Sequence, residues 1–107
     1  MRIEHNIGKS IILFDSDEQE IGELNYKIID DEIVDNGIYI ERNHRGMGYC
    51  RLLIKHWMEI YKNKTIYICS TTKVINKIII DLGFQQINIP IPYWGIMSNG
   101  TNFKYIP

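Results

Sequence analysis

The sequence predicts a mixed α/β fold: a mostly antiparallel sheet that contains one parallel βαβ unit, with helices packed on its faces. Three observations carry this. The first forty residues break into short runs of β-branched and aromatic residues separated by acidic turns. After Arg45 the apolar residues change to helical spacing, with Leu53, Trp57 and Tyr61 at i, i+4 and i+8. A compact β-branched run and a second helical pattern then follow. A chain of 107 residues is expected to form a single domain, 1–107, around one core.

The elements follow in order. The first forty residues read as four strands. SIILF (10–14) is apolar and leads into the turn-like DSDEQ (15–19), which predicts a hairpin to EIGELNYKII (20–29). There Ile21, Leu24, Tyr26 and Ile28 alternate imperfectly with polar residues, and the slip at Glu23-Leu24 after Gly22 suggests a bulge. DD (30–31) turns the chain into a fourth strand, EIVDNGIYIE (32–41).

A helix is expected from about Gly46 to Tyr61, with Leu52, Ile54 and Ile60 beside the apolar row and Arg51, Lys55, Glu59 and Lys62 on the wet face. KNK (62–64) closes it, and TIYIC (65–69) reads as a buried strand. STT (70–72) offers N-caps for a second helix. Its apolar face is Val74, Ile75, Ile78, Ile79 and Leu82, and Gly83 takes the C′ position. The tail after Gly83 holds two further short strands, with a hairpin turn at SNGT (98–101). Strand 32–41, helix 46–61 and strand 65–69 form a right-handed βαβ crossover, so those two strands are parallel.

Charge and composition exclude several function classes. A net charge of −1, an isoelectric point near 6.3 and dispersed Lys and Arg do not make a nucleic-acid or anionic-membrane binder. Cys50 and Cys69 form neither a disulfide framework nor a CxxC pair, and His5, His44 and His56 lack metal-ligand spacing. No metal is therefore expected. The start of the chain is polar and no apolar run spans a bilayer, so a reduced, cytoplasmic protein is expected.

The chemistry gathers at RNHRGMGY (42–49), where the fourth strand meets the first helix. Ligands of βαβ units collect at the C-terminal ends of the strands, where a helix N-terminus also points. Backbone N–H groups from Arg45 to Tyr49 are expected to face outward, carrying the partial positive charge of the helix. Gly46 and Gly48 either let an anion reach the backbone or merely serve packing. No GxxxxGK[ST] and no GxGxxG occurs, which disfavours nucleoside triphosphates and dinucleotides.

The segment IYIERNHRGMGYCRLLIKHWM (38–58) resembles the pyrophosphate-binding segment of the GNAT acetyltransferase superfamily, a strand followed by a [Q/R]xxGx[G/A] loop and a long helix. TIYICSTTKVINKIIIDLGFQQI (65–87) resembles that family's next segment, which closes on LGF. The similarity covers residues 10 to 97, as in a short member of the family. It implies acetyl-CoA as the cosubstrate. The backbone of Ile38, Tyr39 and Ile40 would pair with the pantetheine arm. Asn43, in place of the motif's Gln or Arg, and the loop of Arg45, Gly46, Met47, Gly48 and Tyr49 would take the pyrophosphate. The thioester would enter where strands 32–41 and 65–69 splay apart.

The chain also departs from the family's pattern. The helical pair that usually separates the first two strands has no room here, so a more open acceptor site is expected. The family's leaving-group acid is a Tyr four residues before the glycine of LGF, and here that position is Ile79. The resemblance offers Cys69 as an acyl carrier and Glu32 as a base for the amine, against plainer roles as core cysteine and solvated strand end. Tyr93 or Tyr105 is a further candidate acid, weighed against aromatic packing. His44 could touch a phosphate but reads first as a packing residue.

The function expected is acetyl transfer from acetyl-CoA to a small-molecule or protein amine by direct attack. The alternative is a catalytically weak or inactive module on the same fold, binding CoA or a protein. The apolar tail segment IPIPYWG either caps the cleft or makes a homodimer contact.

Overall fold

The computed structural model describes residues 1–70, 72–89 and 100–107. Its strands are β1 (Arg2–Asn6), β2 (Ser10–Phe14), β3 (Glu20–Ile29), β4 (Glu32–Ile40), β5 (Ile66–Ser70), β6 (Gln85–Ile87) and β7 (Thr101–Tyr105). Helix α1 (Tyr49–Ile60) joins β4 to β5, and α2 (Lys73–Asp81) joins β5 to β6. The seven strands form one sheet in the order β1-β2-β3-β4-β5-β7-β6. Every neighbour is antiparallel except β4 and β5.

Turn chemistry builds the antiparallel half. The carboxylate of Asp15 accepts from the N–H groups of Asp17 (2.8 Å) and Gln19 (3.0 Å) and fastens the turn after β2. Asp30 and Asp31 both take positive φ, +50° and +68°, as a two-residue hairpin loop requires. Between β1 and β2 there is only the turn Ile7–Gly8–Lys9, closed by Lys9 N–H on the Asn6 carbonyl at 3.0 Å.

The third strand does bulge, but at Ile21, before Gly22, rather than at the expected Glu23-Leu24 slip, and the irregularity has a companion. Phe14 pairs with Glu20 and Leu13 with Gly22, which leaves Ile21 as the extra residue of β3. The larger irregularity is in β4: Leu24 faces Ile38, and Tyr26 faces Asp35, so Asn36 and Gly37 bow out of the ladder.

One face of the sheet carries the main core. Leu53, Ile54 and Trp57 of α1 and Ile79 of α2 lie against strand residues such as Leu13, Leu24, Ile33 and Phe103, all nearly or wholly excluded from solvent. Leu52 and Ile60 of α1 remain partly exposed, and Val74, expected on the buried face of α2, is 74% exposed. The first helix begins at Tyr49 rather than Gly46, because Gly46 and Gly48 hold φ of +81° and +83°. In α2 Thr72 is the N-cap, its hydroxyl accepting from Ile75 N–H at 3.3 Å. At the other end Phe84 N–H reaches the Ile79 carbonyl and Gly83 N–H that of Ile80, the paired closure of a left-handed cap, with Gly83 at φ +99°. The first half of the SNGT turn (98–99), Tyr93 and most of IPIPYWG lie outside the described residues.

A buried hydroxyl ties the left side together. Tyr26 Oη accepts from Gly8 N–H (2.9 Å) and meets Tyr61 Oη at 2.6 Å and His5 Nε2 at 2.5 Å. Burial drives this phenol's pKa upward, the Tyr61 hydroxyl adding to the effect, so it stays protonated.

The parallel pair is short. Only Ile33–Ile66 and Val34–Tyr67 pair before β4 and β5 separate. At that parting stands Asp35, 2% exposed. Its carboxylate accepts from Gly37 N–H at 2.6 Å and from Cys69 N–H at 3.4 Å, so a side chain replaces the missing rung. Burial pushes the acid up to about 6, and the two N–H bonds only partly offset this.

Two outcomes follow from these contacts. Thr72→Ala should cost about 1 kcal/mol in urea unfolding, the usual value of an N-cap hydroxyl. Asp35 binds its proton more tightly folded than unfolded, so its contribution is most favourable below the ordinary carboxylate value and is lost as pH rises through about 6. Against Asp35→Asn, which does not ionise, the native protein should lose on the order of 3 kcal/mol between about pH 4 and about pH 7.5. A constant difference between the two urea midpoints would contradict this.

Candidate functional site

The strand-to-helix junction is held by its own side chains. Glu41 caps a short 3₁₀ turn (Arg42–His44), accepting from Asn43 N–H at 3.1 Å and meeting His44 Nδ1 at 2.6 Å. These contacts, that with His44 first, pull the Glu41 pKa down and keep it ionised. Arg45 turns back to donate from Nε to the Ile40 carbonyl at 3.0 Å, its guanidinium 5.7 Å from the centre of the Tyr39 ring.

Beyond Arg45 the backbone opens. Among the described residues nothing accepts from the N–H groups of Gly46, Met47 and Gly48, or from those of Tyr49, Cys50 and Arg51 in the first turn of α1. Gly48 is the N-cap and brings no side chain to satisfy them. A Cβ on Gly46 or Gly48 would meet nothing within 4 Å. The glycines are therefore required by their positive φ, and the space beside them is vacant rather than packed. Of the five amides expected to face outward, that of Arg45 is the exception, since it donates to the Arg42 carbonyl at 3.4 Å.

Of these residues Gly46, Gly48, Tyr49 and Cys50 line a cavity of about 560 Å³. Ile38, Tyr39 and Ile40 form one wall, and the loop with Tyr49 and Cys50 forms the head. Thr72, Val74, Ile75 and Ile78 of α2 form the opposite wall. The edge of β4 facing the cavity is only partly open. Glu41 N–H bonds to the Ile21 carbonyl, so by the two-residue alternation Tyr39 points its backbone groups at β3, and Ile38 and Ile40 point theirs away from it. The Ile40 carbonyl is already taken by Arg45. An extended ligand therefore finds both main-chain groups of Ile38 and the N–H of Ile40.

The residues named from sequence divide in two. Ile38, Tyr39, Ile40, Arg45, Gly46, Gly48 and Tyr49 line the cavity, whereas Asn43 spends its amide on Glu41 and Met47 projects outward, 60% exposed. Glu32 lies near the β3–β4 hairpin, where it accepts from Tyr67 Oη at 3.3 Å. Cys69 packs with Val34, Tyr67 and Ile87 on the other sheet face, against Gly100, and burial followed by the Asp35 charge raises its thiol pKa. Neither lines the cavity. Ile79 is fully buried in the core, and Tyr105 stacks on Phe84 with ring centres 5.4 Å apart.

Four participants escaped the sequence reading. Asp35 is the carboxylate at the parting of the strands; its signal was an acid inside the apolar run EIVDNG. Cys50 lines the cavity, with burial, aided by Asp35, pushing its thiol up to about 11. Ile75 and Ile78, read as core, form wall. Among the described residues no cluster of His, Cys, Asp or Glu is arranged to hold a metal ion, and no helix is long and apolar enough to cross a membrane.

No family model and no curated protein matches the chain. Solved structures do. The histone acetyltransferase HPA2 and related acetyltransferase from Corynebacterium glutamicum superposes with a TM-score of 0.77 at 15% identity, over 94% of this chain and 66% of that one. An acetyltransferase of the GNAT family from Staphylococcus aureus gives 0.72 at 13% identity, over 89% and 65%. Mutant forms of the spermidine/spermine N-acetyltransferase from Vibrio cholerae give 0.71 at 17% identity, over 94% and 68%. The chain spans about two thirds of the length of these proteins. The seven-stranded order, the single parallel pair and the two helices that flank its cavity give this chain the fold of the GNAT acetyltransferases.

Proposed function

We propose that this chain is an N-acetyltransferase domain that binds acetyl-CoA in the cavity between β4 and α2 and serves an amine acceptor by direct attack. The observation that carries this reading is the row of unpartnered N–H groups from Gly46 into α1, beside a cavity walled by the β4 edge at Ile38–Ile40 and by α2. Six amide donors at a helix N-terminus, with the Arg45 guanidinium beside them, suit a diphosphate. The edge of β4 at Ile38 and Ile40 suits the amide-bearing pantetheine arm, which it would hold as an added strand. The apolar side chains of Ile38, Ile75 and Ile78 exclude water from it.

When bound, acetyl-CoA supplies an acyl group activated as a thioester. The chain's own contribution is to bring the amine to it in a dry cleft and to take up a proton. Of the two carboxylates on β4, neither of which lines the cavity, Asp35 stands where the strands part, and its pKa of about 6 is that of a base working near neutral pH. Each of its oxygens accepts one N–H and keeps a lone pair.

One observation favours a second reading, a CoA-binding module without turnover. Ile79 occupies the position at which the family carries its acid, and it is sealed in the core. The nearest thiols, Cys50 and Cys69, are held in their protonated forms.

Calorimetric titration with acetyl-CoA, paired with an assay of free CoA thiol released in the presence of a panel of amines, separates the readings. Binding at micromolar concentration with thiol release above background is expected. Arg45→Ala should weaken binding about tenfold, the value of one charge-assisted hydrogen bond. Binding without release would leave the non-catalytic module. No heat with either CoA or acetyl-CoA would remove both.

A further inference from the structure

Glu41 is the feature the coenzyme reading does not absorb. A carboxylate beside an anion site repels the anion, and this one also consumes the Asn43 amide, one fewer donor for the ligand. Its other partner is His44 Nδ1 at 2.6 Å. His44 lines the cavity, its ring 6.2 Å from that of Tyr49, and its second nitrogen, Nε2, has no partner among the described residues. The imidazole is thus clamped on one side by an ionised carboxylate and open on the other to the cavity that holds the free amides.

The protonation state of the ring decides what the cavity meets. A neutral ring that donates from Nδ1 to Glu41 presents a lone pair at Nε2, which repels a phosphate oxygen. A protonated ring donates at both nitrogens and bridges the carboxylate to the anion. We propose that His44, positioned by Glu41, is a proton-dependent ligand for the coenzyme's diphosphate, so that binding takes up a proton and weakens as pH rises. This inference rests on the coenzyme reading above and adds a regulation of that same site.

The other charged and titratable groups around His44 are few. Arg45 on the loop carries a guanidinium. Tyr39 of β4 and Tyr49 of α1 are phenols, and the Cys50 thiol is pushed up to about 11. The lining residues of α2, namely Thr72, Val74, Ile75 and Ile78, carry no charge. Among the described residues in contact with this end of the cavity, Asp35, behind Cys50, is a second group that changes charge near neutrality, and a variant at His44 distinguishes the two.

The probe is 3′-dephospho-CoA, whose diphosphate does not titrate across the range used and so leaves only protein groups to respond. Its affinity is measured by calorimetry from about pH 5.5 to about pH 8.5, the window in which histidine changes charge. The native protein should lose about tenfold in affinity across that window. Near neutral pH its heats in two buffers of different ionisation enthalpy should show net proton uptake. His44→Phe keeps the ring beside Tyr49 and should bind with no uptake and a flat profile. Binding by the native protein with a flat profile, or a slope that survives in His44→Phe, overturns the role of His44 and leaves the coenzyme reading standing. No binding at any pH overturns both.

Discussion

Everything distinctive about this molecule depends on two parallel strands that stop pairing. Backbone groups in a sheet interior need partners, and a parallel ladder normally supplies them along its whole length. Here it does so for two residue pairs, and then Asp35 substitutes its carboxylate, fastening Cys69 N–H on β5 and Gly37 N–H on its own strand. The bowed Asn36-Gly37 pair carries β4 away from β5, so the strand keeps β3 on one side and is exposed on the other. A buried carboxylate without a cation is a costly device. Its cost is the condition for a gap in the middle of a sheet.

The gap has a direction. β4 runs on from it to the Glu41 turn, and α1 leaves from there with its first N–H groups unclaimed. The polar requirement (main-chain donors for an anion) and the apolar one (a dry wall from Ile38, Ile75 and Ile78) are therefore met by adjoining stretches of one crossover connection. α2 completes the enclosure because its cap at Thr72 starts the helix at the rim of the cavity.

Much of this was legible in the sequence where a single residue type decides local geometry. The Asp30-Asp31 loop, the Thr72 cap and the Gly83 terminus are local features, and the order of strands and helices followed from them with the periodicity. The helix start was displaced to Tyr49 because a glycine pair reads equally as a helix end and as flexible helix, and only the dihedrals separate the two. Asp35 was not legible, because its role depends on where β5 comes to lie, more than thirty residues further on. Glu41 and His44 are three apart in a 3₁₀ turn, a spacing that carries no signal until the turn is known. The backbone directions of Tyr39 and Ile40 needed the register with β3, which composition does not encode.

The hydroxyl of Tyr26 has an effect at some distance from the cavity. Gly8 sits in a surface turn, yet its amide hydrogen points at an oxygen that also holds the ring of Tyr61, just past the end of α1. That amide is shielded from solvent for as long as it keeps the Tyr26 hydroxyl. One phenol oxygen thus joins the β1–β2 turn, the third strand and the end of the first helix, so the left-hand edge of the sheet is tied to the crossover connection through a single buried atom.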